Sequence, residues 1–339
     1  MMPAEGTRPS VSVIVPVYQG AEPFARCLDS LRATEPAPCE IVVVADGAVA
    51  EDIRTGRAAG VRVIELPERA GPARARNVGA QHALGDILFF VDADVVVPVD
   101  ALTYLIDTFS CHPAPAALIG SYDDAPAGRT FFPLYKNLQH HHVHQSGREQ
   151  ASTFWGACGA IRREIFLELG GFDERYRRPC VEDIELGYRL RRAGQEIRLC
   201  HGLQVKHLKI WTAASVLETD FLYRALPWTE LILRHRHAPN DLNLSWSGRL
   251  SALLSVLLLV SLTGGAWAPW LLTIAAAAGG GLLGLNASFY RVLWRRGGGW
   301  FALRAILWHW FYHLYSLAGF LLAVARHVLR VRTAPWGSR

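Results

Sequence analysis

The chain has 339 residues, carries a formal net charge of +5 and is 51% hydrophobic, a length that suits one large domain or a domain with an appendage. Its cysteines (Cys27, Cys39, Cys111, Cys158, Cys180 and Cys200) form no CxxC pair, so neither a zinc ribbon nor a disulfide framework organises it and a reducing compartment is expected. The positive charge does not point to nucleic acid, because no basic stripe or nucleic-acid module accompanies it.

Val11–Val17 is a short, mostly apolar, β-branched run, as expected of a strand buried on both faces. It is too short, and too early in a strand pattern, for a signal peptide, so the domain is expected to stay cytoplasmic. A helical stretch follows over about 21–33, then strands over 40–45 and 61–66. Residues 72–84 read as a helix, with Pro72 in its first turn and Gly85 just past its end. Ile87–Val91 is a fourth strand and runs into Asp92-Ala93-Asp94. This alternation predicts an α/β domain whose mostly parallel central sheet has helices on both faces. Residues 110–150 read as irregular, rich in His, Pro and Gly. Next come a small-residue loop, Trp155-Gly156-Ala157-Cys158-Gly159, a helix start over 162–169 and a Gly170-Gly171 turn. Residues 182–193 read as a helix closed by Gly194.

Acidic residues vanish after Arg249, and every later charge is an Arg flanking apolar runs. Such a shift indicates a second solvent, the bilayer. Residues 221–246 mix Trp228, Leu231 and Ile232 with Arg224, Arg234 and Arg236, which suits either an amphipathic helix on a membrane surface or an ordinary packed helix. Residues 250–285 carry no charge and are interrupted at Gly264-Gly265 and Pro269. They predict two membrane helices, about 250–267 and 269–287, with Trp267 and Trp270 at the interface. A third, about 303–325, is either a span or an interfacial segment. Three spans would put Arg326, Arg330 and Arg332 outside, against the positive-inside tendency. The expected organisation is a catalytic domain over 1–220, an interfacial segment over 221–249 and a multi-pass membrane domain over 250–339.

Chemistry is expected at the strand ends, since ligands of open α/β sheets bind outside the carboxyl ends of strands. Asp92 and Asp94, spaced i, i+2, can share Mg2+ or Mn2+ with a diphosphate, or can simply cap the strand. Pro16-Val17-Tyr18 ends the first strand and Asp46-Gly47 the second. Asp46 can accept a hydrogen bond from a base N–H, and Arg74 or Arg76, near a helix start, can face phosphate oxygens. No GxxxxGK[ST] pattern is present, so this is not a P-loop. Glu182-Asp183 opens a helix, where acids favour the dipole; a carboxylate there also suits a general base that deprotonates an acceptor hydroxyl. Spacing leaves both readings open. His140-His141-His142-x-His144 lacks acidic or cysteine partners and reads as a solvated or membrane-proximal loop rather than a metal site.

Pro16-Val17-Tyr18, Asp46-Gly47, Ala75-Arg76-Asn77-x-Gly79, Asp92-Ala93-Asp94, Gly170-Gly171-Phe172-Asp173 and Glu182-Asp183 stand in the order seen in family-2 glycosyltransferases of the GT-A fold, which residues 10–210 resemble. The resemblance implies an inverting, metal-dependent enzyme that uses a UDP- or GDP-linked sugar. It implies donor contacts from Pro16, Val17, Tyr18, Asp46, Arg74, Arg76, Asn77, Asp92 and Ala93, and a metal held by Asp92, Asp94 and His207. Asp183 would be the base, and Trp155, Gly156, Ala157, Cys158 and Glu182 would shape the acceptor side. Ala45 and Ala48 replace the first Asp and the Ser of the family's Asp-Asp-Gly-Ser, a departure at the base-binding edge. No Gln-x-x-Arg-Trp follows Asp183, which favours transfer of one sugar over polymerisation. The acceptor expected is lipid- or polyprenyl-linked, held at the cytoplasmic membrane face. The alternatives are a transferase to a non-lipid acceptor and a catalytically silent, membrane-bound adaptor that binds nucleotide sugar.

Overall fold

The computed structural model describes residues 8–236 and 238–329; Arg330 and Arg332, invoked for topology above, lie outside them. These residues form two compact units, one from 8–127 and 147–209, the other from 128–146 and 210–329.

The first unit runs β1 (Val11–Val17), α1 (Ala21–Arg32), β2 (Glu40–Asp46), α2 (Ala50–Ala58), β3 (Arg62–Leu66), α3 (Pro72–His82), β4 (Ile87–Val91), β5 (Val95–Val96), α4 (Ala101–Cys111) and β6 (Pro115–Tyr122). After α5 (Phe131–Gln145), which belongs to the second unit, it resumes with β7 (Gln150–Ala151), β8 (Cys158–Arg162), α6 (Arg163–Glu168), α7 (Glu182–Arg192) and β9 (Glu196–His207). One sheet orders the strands β3-β2-β1-β4-β8-β6-β9-β5, with β7 on β9. The central strands are continuous apolar runs; Val13, Ile14, Val15, Val42, Val43 and Val44 have no exposed surface, as both faces are covered.

The sheet is mixed, a correction to the mostly parallel one expected. β1/β2, β1/β4, β2/β3 and β6/β9 are parallel, whereas β4/β8, β6/β8, β5/β9 and β7/β9 are antiparallel. The cause is β8, which enters reversed between β4 and β6. Its small-residue start, Cys158-Gly159-Ala160, resembles loop in the sequence, yet a Cβ on Gly159 would lie 2.3 Å from the Trp155 carbonyl oxygen, so a close backbone approach requires glycine. β1 pairs with β2 on one side and β4 on the other. Strand order reverses there, which opens a crevice at the carboxyl ends.

The irregular reading of 110–150 also fails. All of β6 is buried, and α5 carries Phe131, Leu134, Tyr135 and Leu138 at helical spacing. Tyr135 and Leu138 pack against Phe289, Tyr290, Leu293, Ala302 and Ala305 in the core of the second unit. The histidine cluster therefore lies on a helix, with His144 buried and the His140 ring 4.2 Å from that of His144. Among the described residues no group of three His, Cys, Asp or Glu is arranged to hold a metal.

The second unit continues with α8 (Ala213–Glu218), a π-helical segment (Thr219–Ala225), α9 (Leu226–His235), a 3-10 turn (Leu242–Leu244), α10 (Trp246–Gly264), α11 (Leu271–Leu285) and α12 (Ala287–Val328). In α9, Trp228 and Leu231 are buried, which favours the packed-helix reading. α10 is turned inside out relative to a soluble helix. Ser251, Ser255 and Ser261 are buried while Leu250, Leu253, Leu257 and Val260 are exposed, and Asn286 donates to the Ser251 hydroxyl at 3.0 Å. Its 19 residues span about 28 Å at about 1.5 Å each, close to a bilayer core. α11, with 15 residues, is shorter, and it meets α12 at 71°. Among the described residues one helix is long and apolar enough to cross a membrane, or two if that bent pair is one span. The expected multi-pass arrangement is not supported. The expected helix over 303–325 is the second half of α12, which kinks at Gly298, whose φ is +77°; the helical half before the kink, from Ala287, was missed because Arg291, Arg295, Arg296 and three consecutive glycines disguise it in the sequence.

Candidate active site

The crevice edge is built by strand ends in register: Val17 of β1 lies beside Ala45 of β2, and Asp46 beside Leu66 of β3. Two buried carboxylates shape its loops. Asp46 accepts the N–H groups of Ala70 and Gly71, at 2.6 and 2.9 Å, and so fixes the entry to α3. Asp52, on α2, accepts those of Gln19 and Gly20, at 2.7 and 2.9 Å, and holds the turn after β1. That turn is strained, with Gln19 and Ala21 at φ +54° and +46°, as functional edges often are. Tyr18 is exposed there with the Arg69 guanidinium 4.1 Å above its ring, a flat surface at the rim of the crevice. Sequence reasoning missed Asp52 and Arg69, since neither sits in a motif.

At the end of β4 the residues converge. Arg76, on α3, is 4% exposed. Its Nη2 donates to Asp92 Oδ1 at 2.7 Å and its Nη1 to Glu182 Oε1 at 2.9 Å. Burial opposes its charge, but Asp92, Glu182 and Asp183 outweigh that and hold the guanidinium above its ordinary pKa. Glu182, 4% exposed, uses Oε2 to accept the Cys180 N–H at 2.8 Å. Asp183, 7% exposed, accepts the Gly156 N–H on Oδ2 at 3.2 Å and the Ile184 N–H on Oδ1 at 2.8 Å. Both acids lie in the first turn of α7, where the dipole favours the anion. Gly156 has no room for a side chain, because a Cβ would lie 2.9 Å from the Arg76 guanidinium carbon.

A second grouping sits beside it. Asp94 Oδ2 and His207 Nε2 are 3.4 Å apart, brought together by the β5/β9 pairing. Burial raises the Asp94 pKa, yet the hydrogen bond and charge of His207, with Lys209, win and hold the carboxyl below its usual range. His207 stacks on Tyr122 at 4.3 Å, and Trp155 meets the other part of Tyr122 edge-on at 4.9 Å. Tyr122 was hidden in the stretch read as irregular.

The remaining expected residues are placed as follows. Val17 is buried under the crevice floor and Ala93 is half-buried between the two aspartates. Arg74 is exposed and paired with Glu174 at 2.9 Å. Asn77 is turned to the Gly171–Phe172 turn: its amide donates to the Phe172 carbonyl and accepts the Phe172 N–H, both at 2.8 Å. Trp155 and Ala157 are buried beside Gly156, and Cys158 is fully buried at the start of β8, its thiol pushed up by burial. Asp92 is half-buried and held by Arg76 at 2.7 Å.

An α/β fold with a mixed sheet, a strand-end Asp-x-Asp and an acidic helix start facing one edge defines a GT-A-like nucleotide-binding domain. Residues 12–170 match glycosyl transferase family 2. The chain is 28% identical over 207 residues to the pre-mycofactocin glycosyltransferase of Mycobacterium tuberculosis, covering 58% of this chain and 42% of that protein. It is also 28% identical over 180 residues to the glucosyl-dolichyl phosphate glucuronosyltransferase of Haloferax volcanii, covering 48% of this chain and 56% of that protein. The chain thus spans about half the length of these relatives or less. By structure it is similar to a mannosyltransferase from Pyrobaculum calidifontis in complex with GDP-Man and Mn2+, with a TM-score of 0.58 at 20% identity, covering 94% of this chain and 87% of that one; that likeness is one of fold.

Proposed function

We propose that the protein transfers one sugar from a UDP- or GDP-sugar to a lipid- or polyprenyl-linked acceptor, with inversion, at the cytoplasmic face of a membrane to which α10 attaches it. The observation that carries this reading is the convergence of Asp92, Glu182 and Asp183 on one guanidinium at the carboxyl edge of the sheet. Names of the relatives, one of which acts on a dolichyl phosphate sugar, and the outward leucines of α10 support it.

Asp183 takes the proton of the acceptor hydroxyl as that oxygen attacks the anomeric carbon, and the carbon–oxygen bond to the nucleoside diphosphate breaks with its electron pair. The Gly156 N–H donates to Asp183 Oδ2, and Asp183 stands at the start of α7, where the dipole favours a negative charge. Asp94 and His207 would hold a divalent cation, since one carboxylate oxygen and one imidazole nitrogen face each other at 3.4 Å, and such an ion would take its remaining ligands from diphosphate oxygens. A cation bound there supplies positive charge to the departing diphosphate. The stacked Tyr122 and His207 rings, with Trp155 edge-on to Tyr122, and the Trp155–Gly156 loop bound the sugar side.

A panel of UDP- and GDP-sugars with Mn2+ tests this by thermal stabilisation, followed by transfer to a polyprenyl-linked sugar that offers free hydroxyls. The expected result is stabilisation by one base series and a sugar-bearing lipid product with inverted configuration. No stabilisation by any donor overturns it; stabilisation without transfer or hydrolysis favours the silent adaptor.

A further inference from the structure

We propose that Arg76 is a positioning residue that ties the helix bearing the base to the donor edge of the sheet, and that it is not a ligand for donor phosphates. This rests on the reading of Asp183 as base.

The geometry is specific. Arg76 comes from α3, Asp92 from the end of β4 and Glu182 from the start of α7, and one fork joins all three through separate terminal nitrogens. Its 4% exposure leaves little surface for a ligand. Asp183 is reached from Arg76 by two routes. One is the chain itself, since Glu182 is its neighbour and is clamped between Arg76 Nη1 and the Cys180 N–H. The other is Gly156, which lies against the guanidinium and donates its N–H to Asp183 Oδ2. The Phe172 ring, 5.4 Å from the guanidinium carbon, closes a further side. Only a planar fork with two outward nitrogens spans both carboxylates; an ammonium is a point charge and can favour one. Loss of the fork frees the start of α7 relative to Asp92, and a displacement of about 1 Å in a catalytic group can cost ~10²-fold in rate.

The test uses the full chain in detergent with Arg76→Lys and Arg76→Ala. Affinity is read by calorimetry with UDP and GDP in Mn2+, and turnover with saturating GDP-mannose or UDP-glucose. Nucleotide affinity is expected to stay within about threefold of wild type while kcat falls about 10- to 100-fold. Guanidinium ion is expected to restore part of the Arg76→Ala rate but none of the rate of Asp183→Asn. If Arg76→Ala does not fold, Arg76→Lys, which keeps charge and bulk, carries the same comparison. Nucleotide affinity lowered about tenfold or more with kcat retained at saturation would make Arg76 a phosphate ligand and overturn the proposal. An unchanged kcat in both variants overturns it too. A wild type that turns over no donor sinks the glycosyl-transfer reading itself, whereas an active wild type with an equally active Asp183→Asn removes only the base and, with it, the role assigned to Arg76.

Discussion

Asp183→Asn and Glu182→Gln are expected to separate stability from catalysis in opposite orders. Asp183 accepts two N–H groups, from Gly156 and Ile184, one on each oxygen. Asparagine has one oxygen, so its amide must turn an NH2 toward one of these donors. An unmet buried N–H costs about 1–3 kcal/mol, which for a unit of this size lowers Tm by roughly 2–10 °C. Glu182 accepts Arg76 and the Cys180 N–H. Glutamine keeps one acceptor and loses the charge. A buried pair broken outright costs about 3–5 kcal/mol, and because Asp92 still holds Arg76 the expected loss is about 2–4 kcal/mol. Glu182→Gln is therefore the less stable variant. In rate the order reverses: Asp183→Asn loses about 10²–10⁴-fold as a missing general base, and Glu182→Gln keeps more activity. Melting curves and initial rates at saturating donor, on the same preparations, read both orders. An Asp183→Asn variant near wild-type rate beside a dead Glu182→Gln refutes the base assignment, and two harmless variants reduce both acids to helix-start charges.

Gly187→Ala places a Cβ 2.3 Å from the Phe154 nitrogen and 2.5 Å from the Thr153 Cα. Backbone cannot yield there, so a loss of about 3 kcal/mol or more is expected in urea unfolding; a wild-type midpoint would show that α7 packs more loosely. Asn77→Ala strands the Phe172 N–H and carbonyl and is expected to cost about 2–5 kcal/mol with nucleotide affinity unchanged, whereas a stable variant that binds UDP or GDP poorly would return Asn77 to the donor site. Excess chelator is expected to abolish donor binding, and Asp94→Asn to weaken nucleotide affinity in Mn2+ with little change in Tm; full turnover in chelator refutes the cation requirement. The full chain is expected to fractionate with membranes and to need detergent, and Leu257→Lys, on the exposed face of α10, to weaken retention, since a Lys in a span costs about 2.5–3.5 kcal/mol. Recovery of wild type as a detergent-free monomer would refute the attachment.

Local chemistry in the chain determined a good deal by itself. The β-branched runs of β1 and β4 and the Pro72 start of α3 are legible because each signal lies within a few residues of the structure it specifies. So is the Gly194 end of α7, where φ is +75°. The order of weak motifs likewise pointed to the family that residues 12–170 match. What escaped depends on partners far along the chain. β8 is a strand only because β4 and β6 flank it, and α5 is a helix whose apolar face meets α12, more than a hundred residues later. In the site, spacing placed Arg76 near phosphates, whereas tertiary structure set it between Asp92 and Glu182, 106 residues away. A buried guanidinium is stable only where carboxylates meet it, and which carboxylates do so is decided by how α3, β4 and α7 pack, a relation that no single stretch of sequence contains.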